Sequence, residues 1–278
     1  MITINKNLCT KCKKCVNDCT AHAIDIESFT VSDLCIGCGH CVAICERQAA
    51  TMNNKAIIKL YPQNVQPQAF KNLCANTRSC RHFRRQAISA DVLQALCEIT
   101  AQAPSASNVR GVELTVITDR DLLRKINTDV SNVLLNMVRL LTRPVIKQIV
   151  QLITSKKQVN KIESMVAKFA KAKKEHKQNI TFDAPALVLF HAKNEALGML
   201  ETDASIWASY MSLYASSLGL GTCFNGFIAK AFGKNKSLQQ RYGIPKNHKV
   251  YISLLIGFPA VKYNNEVSRD AAKVSFVS

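Results

Sequence analysis

The hydrophobic pattern of the chain changes near residue 53. Before that point, apolar residues come only in short pieces, at 2–4, 24–26 and 29–31. Pieces this short predict small strands and turns without an independent core. Residues 53–76 are polar and proline-punctuated, with Asn53-Asn54 followed by Tyr61-Pro62-Gln63-Asn64-Val65-Gln66-Pro67-Gln68, and 53–72 reads as a linker. From Thr77 onward, helical and strand periods alternate in an α/β pattern. Ser89 is placed to cap a helix reaching about Gln102, with Val92, Leu93, Leu96, Ile99 and Ala103 on one face and Pro104 as its stop. Residues 112–118 read as a strand, and 186–191 and 250–258 as buried strands. Residues 203–218 predict a helix with Ile206, Trp207, Tyr210, Met211 and Tyr214 inward, ended by Gly219. Between these elements, residues 131–178 predict two or three amphipathic helices, broken near Pro144 and again near 154–157.

Length and charge sharpen this outline. A chain of 278 residues suits one large domain and one small one. Lys and Arg number 37 against 19 Asp and Glu, a net charge of +18. Half of that excess lies between Arg139 and Lys177, where eleven basic residues face two acidic ones. The N-terminus reaches Cys9 without a signal-like apolar region, and no apolar run is long enough to span a bilayer. A reducing, cytoplasmic setting is expected.

Eight of the 12 cysteines fall in the first 45 residues. Cys9, Cys12, Cys15 and Cys19 are repeated by Cys35, Cys38, Cys41 and Cys45, each offset by 26 positions. Each half reads C-x-x-C-x-x-C-x-x-x-C. Three cysteines spaced by two residues wrap one [4Fe–4S] cube, and the fourth points away to the other. The expected ligand sets are therefore Cys9, Cys12, Cys15 and Cys45 for one cluster, and Cys35, Cys38, Cys41 and Cys19 for the other. Zinc sites use separated C-x-x-C pairs, not runs of four, so the spacing favours iron–sulfur. Residues 1–52 resemble bacterial two-cluster ferredoxins, with Thr20 and Glu46 where that family usually has Pro. Such clusters carry single electrons, so an acceptor is needed elsewhere.

The rest of the chain offers three modest segments. Thr77-Arg78-Ser79-Cys80-Arg81-His82-Phe83 places two guanidinium groups and a hydroxyl together, suited to phosphate oxygens. Ala103-Pro104-Ser105-Ala106-Ser107-Asn108 has small residues that permit close backbone approach to a flat ligand. Gly219-Leu220-Gly221-Thr222-Cys223-Phe224-Asn225-Gly226 lacks the dinucleotide fingerprint spacing and follows a helix, which excludes a Rossmann site. In this order, together with Asp183-Ala184-Pro185, Asp203-Ala204-Ser205, Gly257-Phe258-Pro259 and Arg269, they resemble the FMN-dependent nitroreductase family over about residues 73–278. Ferredoxin-fused members of that family are a known arrangement.

The resemblance implies an α+β sandwich in an intertwined homodimer, following a small ferredoxin-like domain. FMN would lie at the dimer interface. Arg78, Ser79 and Arg81 would hold its phosphate and ribityl chain, and Arg269 its phosphate. Pro104, Ser105, Ala106, Ser107 and Asn108 would approach from the other protomer, and Cys223, Phe224, Asn225 and Gly226 would pass near the ring. The usual N-x-Q-P-W is Asn108-Val109-Arg110-Gly111-Val112 here, and Asp270 stands where a basic residue is common. Cys223 also suits a plain core position.

The expected activity is transfer of electrons through both clusters to FMN and on to a nitro compound, quinone or activated alkene. The alternatives are a non-enzymatic relay to a partner protein, or a specialised reduction such as dehalogenation. The basic stretch, with Arg139, Arg143 and Lys147 in one stripe and Lys168, Lys171, Lys173, Lys174 and Lys177 beyond, suits a solvated lid, an acidic redox partner such as ferredoxin or flavodoxin, or anionic lipid. Its few aromatic residues and lack of a motif argue against nucleic acid.

Overall fold

The computed structural model describes every residue except 63, 142–163, 165–166, 168–169, 172, 176, 195–196 and 278. Most of the basic stretch, including Arg143, Pro144, Lys147 and Lys168, therefore lies outside the described residues, as do the expected helix breaks. The chain forms two compact units. One comprises Met1–Val65 with Ser105–Arg110, and the other Gln66–Pro104 with the chain from Gly111 on.

In the N-terminal unit, β1 (Ile2–Ile4) pairs antiparallel with β4 (Ala50–Met52), and β2 (Ile24–Asp25) with β3 (Thr30–Val31). Two short helices, α1 (Lys14–Asp18) and α2 (His40–Ala43), pack between them. The buried cluster of this unit is Ile2, Cys41 and Ala50, ringed by Cys15, Ile24, Val31, Cys35, Val42, Cys45 and Met52, with Ala23, Ile26 and Ala49 also buried. Four of the residues in this small core are cysteines. The described residues of the segment read as linker form no helix or strand up to Gln66, but α3 (Pro67–Asn76) then begins with Pro at its first position, where a missing N–H costs nothing.

The second unit is built on a four-stranded sheet of order β5-β6-β8-β7: β5 (Val112–Ile117), β6 (Ala186–Lys193), β7 (Gly221–Phe224) and β8 (His248–Gly257). Every pairing is antiparallel, so the architecture is α+β and the alternating α/β reading of the sequence is corrected. β6 is central and buried on both faces, which is why Ala186 to Ala192 reads as an apolar run broken only by His191. On one face, Ile117, Leu187, Leu189, Val250 and Leu255 pack with α5 (Arg120–Leu141), α7 (Gly226–Lys234) and α8 (Lys236–Arg241). On the other, Val112, Ala186, Val188, Phe190, Leu254 and Ile256 pack with α4 (Ala90–Glu98) and α6 (Leu200–Ser217).

Several boundaries differ from those expected. The helix from Ser89 is α-helical only to Glu98 and finishes as a 3-10 turn over Ile99–Gln102. α6 starts at Leu200, three residues earlier than read, with Glu201 and Asp203 in its first turn, where the helix dipole favours acid. α5 starts at Arg120, well before residue 131, because the Asp119 carboxylate accepts from the Leu122 N–H and closes the first turn. Gly219 does end α6, at φ 75°.

β8 contains a bulge. Phe190 pairs with Ile252 and His191 with Val250, so Tyr251 is an extra residue. Residues 254 and 256 point to the α4/α6 face, yet beyond the bulge Val250 and His248 lie on the α5/α7 side. Among the described residues, no helix is long and apolar enough to cross a membrane.

Candidate functional site

The N-terminal unit brings its cysteines together in two groups. A cavity of about 260 Å³ is lined by Cys9, Cys12, Cys15 and Cys45. A second, smaller one is lined by Cys19, Cys35, Cys38 and Cys41. These are the two sets expected from the spacing. The 26-residue repeat extends to the backbone. Lys11 N–H points at Cys9 Sγ and Gly37 N–H at Cys35 Sγ, both at 3.4 Å, while Ala23 N–H reaches Cys19 Sγ at 3.4 Å and Ala49 N–H reaches Cys45 Sγ at 3.2 Å. Left-handed residues recur with the same offset: Lys11 and Gly37, Lys13 and Gly39, His22 and Gln48. Each turn folds the chain back so that an N–H faces sulfur.

Two of these thiols, Cys15 and Cys41, resist ionisation. Burial, then Cys35, Cys15 and Cys38, pushes Cys41 up to about 11. Burial also raises Cys15, with Cys12 and Cys45 adding to the effect. Each cavity thus holds one thiol whose ionised form is favoured by compensating positive charge. Cys15 and Cys41 are the members through which the two sets sense one another.

Ser105–Arg110 belongs to this unit. Its backbone is left-handed at Ser107, Asn108 and Arg110, at φ 49°, 53° and 51°. The Asn108 amide donates to the carbonyls of Ile36 and Gly37 at 3.0 and 2.9 Å, inside the second cysteine run. Ser105 Oγ accepts from the Arg110 N–H at 3.1 Å. Pro104 lies in the other unit, where its carbonyl accepts from Trp207 Nε1 at 3.2 Å.

In the second unit, the segments around Arg78 and Gly221 meet. Cys80 N–H donates to Thr222 O at 2.8 Å, and Ser79 bridges Thr222. Arg84 N–H donates to Phe258 O at 2.8 Å, bringing in the Gly257-Phe258-Pro259 turn. Gly221 is required here: a Cβ would stand 2.8 Å from Cys80 Cβ and 3.0 Å from Pro259 Cγ. A cavity of about 180 Å³ lies among Thr77, Arg78, Ser216, Gly219, Thr222 and Tyr263.

The other expected contact residues fall out as follows. Arg78 directs its guanidinium to the carbonyls of Ala75 and Thr77. Arg81 is exposed, and its charge pulls against the burial that raises the Cys223 thiol. Cys223 is a buried core residue. Phe224 is exposed, and the position facing Gly226 is open. Asn225 is buried and its side chain is committed. Oδ1 accepts from the N–H groups of Phe227 and Ile228, both at 3.1 Å, and Nδ2 donates to Ile180 O at 2.7 Å. Asn225 therefore caps α7. Arg269 is exposed in the C-terminal segment, whose described residues after Pro259 form no helix or strand.

One grouping had no signal in the sequence. Glu113, His191 and His248, on three different strands, converge at one end of the sheet. They share no motif, and only strand pairing with the Tyr251 bulge brings them together. Burial, with His248 beside it, pushes His191 down to about 4.

Comparison with known proteins bears on the second unit. Residues 74–258 match the Nitroreductase family. A nitroreductase with bound FMN from Desulfitobacterium hafniense DCB-2 is 21% identical, with a TM-score of 0.56, covering 75% of this chain and 98% of its own. One with bound FMN from Bacteroides fragilis NCTC 9343 is 20% identical with the same TM-score, covering 75% and 98%. Iodotyrosine deiodinase bound to FMN and 3-iodo-L-tyrosine is 13% identical with a TM-score of 0.53, covering 75% and 99%. These likenesses establish the fold. No curated protein matches the chain. With residues 74–258, more than half of its length, matched in this way, the chain belongs to the nitroreductase family and is a flavin-dependent oxidoreductase.

Proposed function

We propose that the protein is an FMN-dependent oxidoreductase whose N-terminal unit feeds electrons through two [4Fe–4S] clusters to the flavin. The observation that carries this reading is the pair of four-cysteine cavities in a chain whose second unit is a nitroreductase. The residues fit two clusters: four sulfurs surround each cavity, and four of the eight face a backbone N–H. When bound, the clusters supply single electrons, and FMN collects two of them for delivery as a hydride equivalent to an organic acceptor.

The chain's own residues position and tune. Cys9, Cys12, Cys15 and Cys45 would hold one cluster, and Cys19, Cys35, Cys38 and Cys41 the other. The N–H groups of Lys11, Ala23, Gly37 and Ala49 would stabilise the extra negative charge of the reduced state. Cys15 and Cys41 would form the short path between the sets. Thr77 to Arg81 with Gly219 to Thr222 would provide the polar end of a flavin site, where Gly221 keeps the backbone close. Arg78 would exchange its carbonyl partners for phosphate oxygens. The partner protomer of a homodimer would complete the site, as the open side at Phe224 and Gly226 suggests. Asn108 joins the two halves of this reading, since the loop expected near flavin also holds the carbonyls between Cys35 and Cys38. The acceptor would be a nitro compound, quinone or activated alkene.

The test begins with protein purified without oxygen. About eight iron atoms and one FMN per chain are expected. Turnover with a low-potential donor is then measured against an acceptor panel that includes halogenated aromatics. Cys38→Ser should abolish donor-driven turnover yet leave chemically reduced flavin competent. Undiminished turnover in that variant would sink the wiring. Full iron without flavin would instead favour an electron relay to a partner protein.

A further inference from the structure

Three adjacent strands bring Glu113, His191 and His248 to the α5/α7 face of the sheet. One ligand atom from each lies within 4.8 Å of those of the other two. Glu113 and His191 are direct cross-strand partners on β5 and β6. The extra residue Tyr251 turns His248 toward the same side. The two rings meet edge on, Nδ1 to Nδ1, at 2.9 Å. His191 Nε2 lies 2.9 Å from Thr115 Oγ1, and His248 Nε2 lies 3.9 Å from a Glu113 oxygen.

This arrangement has the composition and support of a metal site. Two imidazoles and one carboxylate suit zinc and its neighbours in the first transition row. Both histidines are buried, so their rings are fixed before any ion arrives, while Glu113 is exposed and mobile enough to close over one. A neutral imidazole has one donor nitrogen and one acceptor nitrogen. With its Nε2–H given to Thr115 Oγ1, His191 keeps a lone pair on Nδ1, directed at His248. The hydroxyl behind the His191 ring can do what a carboxylate, carbonyl or water does behind other metal-bound histidines, which is to fix the tautomer. The rings would need to separate only slightly, since nitrogens on one tetrahedral zinc sit roughly 3.3 Å apart. Three protein ligands leave a fourth position for water.

We propose that Glu113, His191 and His248 bind one zinc-class divalent cation, which ties β5, β6 and β8 together. Binding moves the proton shared between the two Nδ1 atoms to His248 Nε2, so that both rings stay neutral and each offers Nδ1 to the ion. No electron changes hands. The site lies at the His248 end of β8. The Gly257 end, near Cys80 and Pro259, is nine residues away along the strand, roughly 30 Å at about 3.3 Å per residue. The ion therefore acts on the sheet and not on the reacting centre.

The experiment uses the full chain with its cofactors in place. Protein is dialysed against Zn²⁺ with a competing chelator, and zinc and iron per chain are counted by elemental analysis. Wild type should retain one zinc that Glu113→Gln and His248→Gln do not. Affinity in Glu113→Gln should fall at least about tenfold. Zn²⁺ should raise the thermal midpoint of wild type and leave that of Glu113→Gln unmoved. Glu113 is exposed, so its isosteric variant folds, and unchanged iron content verifies this. Equal zinc retention by wild type and both variants would assign the metal to cysteines and overturn the proposal. So would failure of wild type to retain zinc.

Discussion

Lys13 and Gly39 occupy equivalent places in the two halves of the N-terminal unit, each preceding a short helix. Both are left-handed, at φ 59° and 79°. An L-residue in that region costs about 1–2 kcal/mol, which glycine avoids. Lys13→Gly should therefore stabilise the unit by about 1 kcal/mol, seen as a higher urea midpoint for loss of visible cluster absorbance. Lys11, at φ 54°, is a poorer target, because its ammonium holds Glu27 at 2.7 Å and lies 5.2 Å from the centre of the Phe29 ring. The cysteines were legible in the sequence because spacing is written directly in residue type. The left-handed lysines were not, because nothing in a lysine announces its φ. Asn225 teaches a related lesson. Sequence placed it near a ligand on the strength of its neighbours and gave no sign that its amide caps α7.

At the scale of elements, strands were easier to read than their company. β6 and β8 stood out as apolar runs, but β7 carried no strand signal, because Gly221-Thr222 has neither strand length nor alternation. Its pairing with β8 is imposed by the sheet. This packing is tight enough to test. A Cβ at Gly257 would lie 2.4 Å from Pro185 Cδ and 2.8 Å from Phe83 Cδ1. Gly257→Ala should cost about 1–3 kcal/mol by overpacking, measured by chemical denaturation. Gly226→Ala is the control: no atom lies within 4 Å of its added methyl, so stability should change by less than about 1 kcal/mol, and upward. Helix starts were missed where the signal was a single cap, as at Asp119, against the louder change in charge that begins near residue 131.

For the whole molecule, the sequence separated a cysteine-rich part from an α+β part, but not the assignment of Ser105–Arg110 to the first. No local pattern marks a loop that joins residues seventy positions earlier. Asn108 holds that association through two carbonyl contacts. Asn108→Ala should remove about 1–3 kcal/mol of support from the turn between Cys35 and Cys38. Iron should then pass to a chelator faster than in wild type, with the first-phase rate rising for about half of the metal. Unchanged release would mean that the turn is held by its own ladder of contacts.

The bulge in β8 has a consequence for how this sequence can drift. Tyr251 acts as a phase shift: residues before it keep one parity and residues after it the other. Removing that single position would make Val250 the direct neighbour of Ile252 and leave the pairs Phe190–Ile252 and His191–Val250 as they stand, with Val250 and His248 on their present layer. A deletion there is the one-residue loss this strand absorbs with its two faces unchanged, and most point substitutions at Tyr251 itself would leave the count intact.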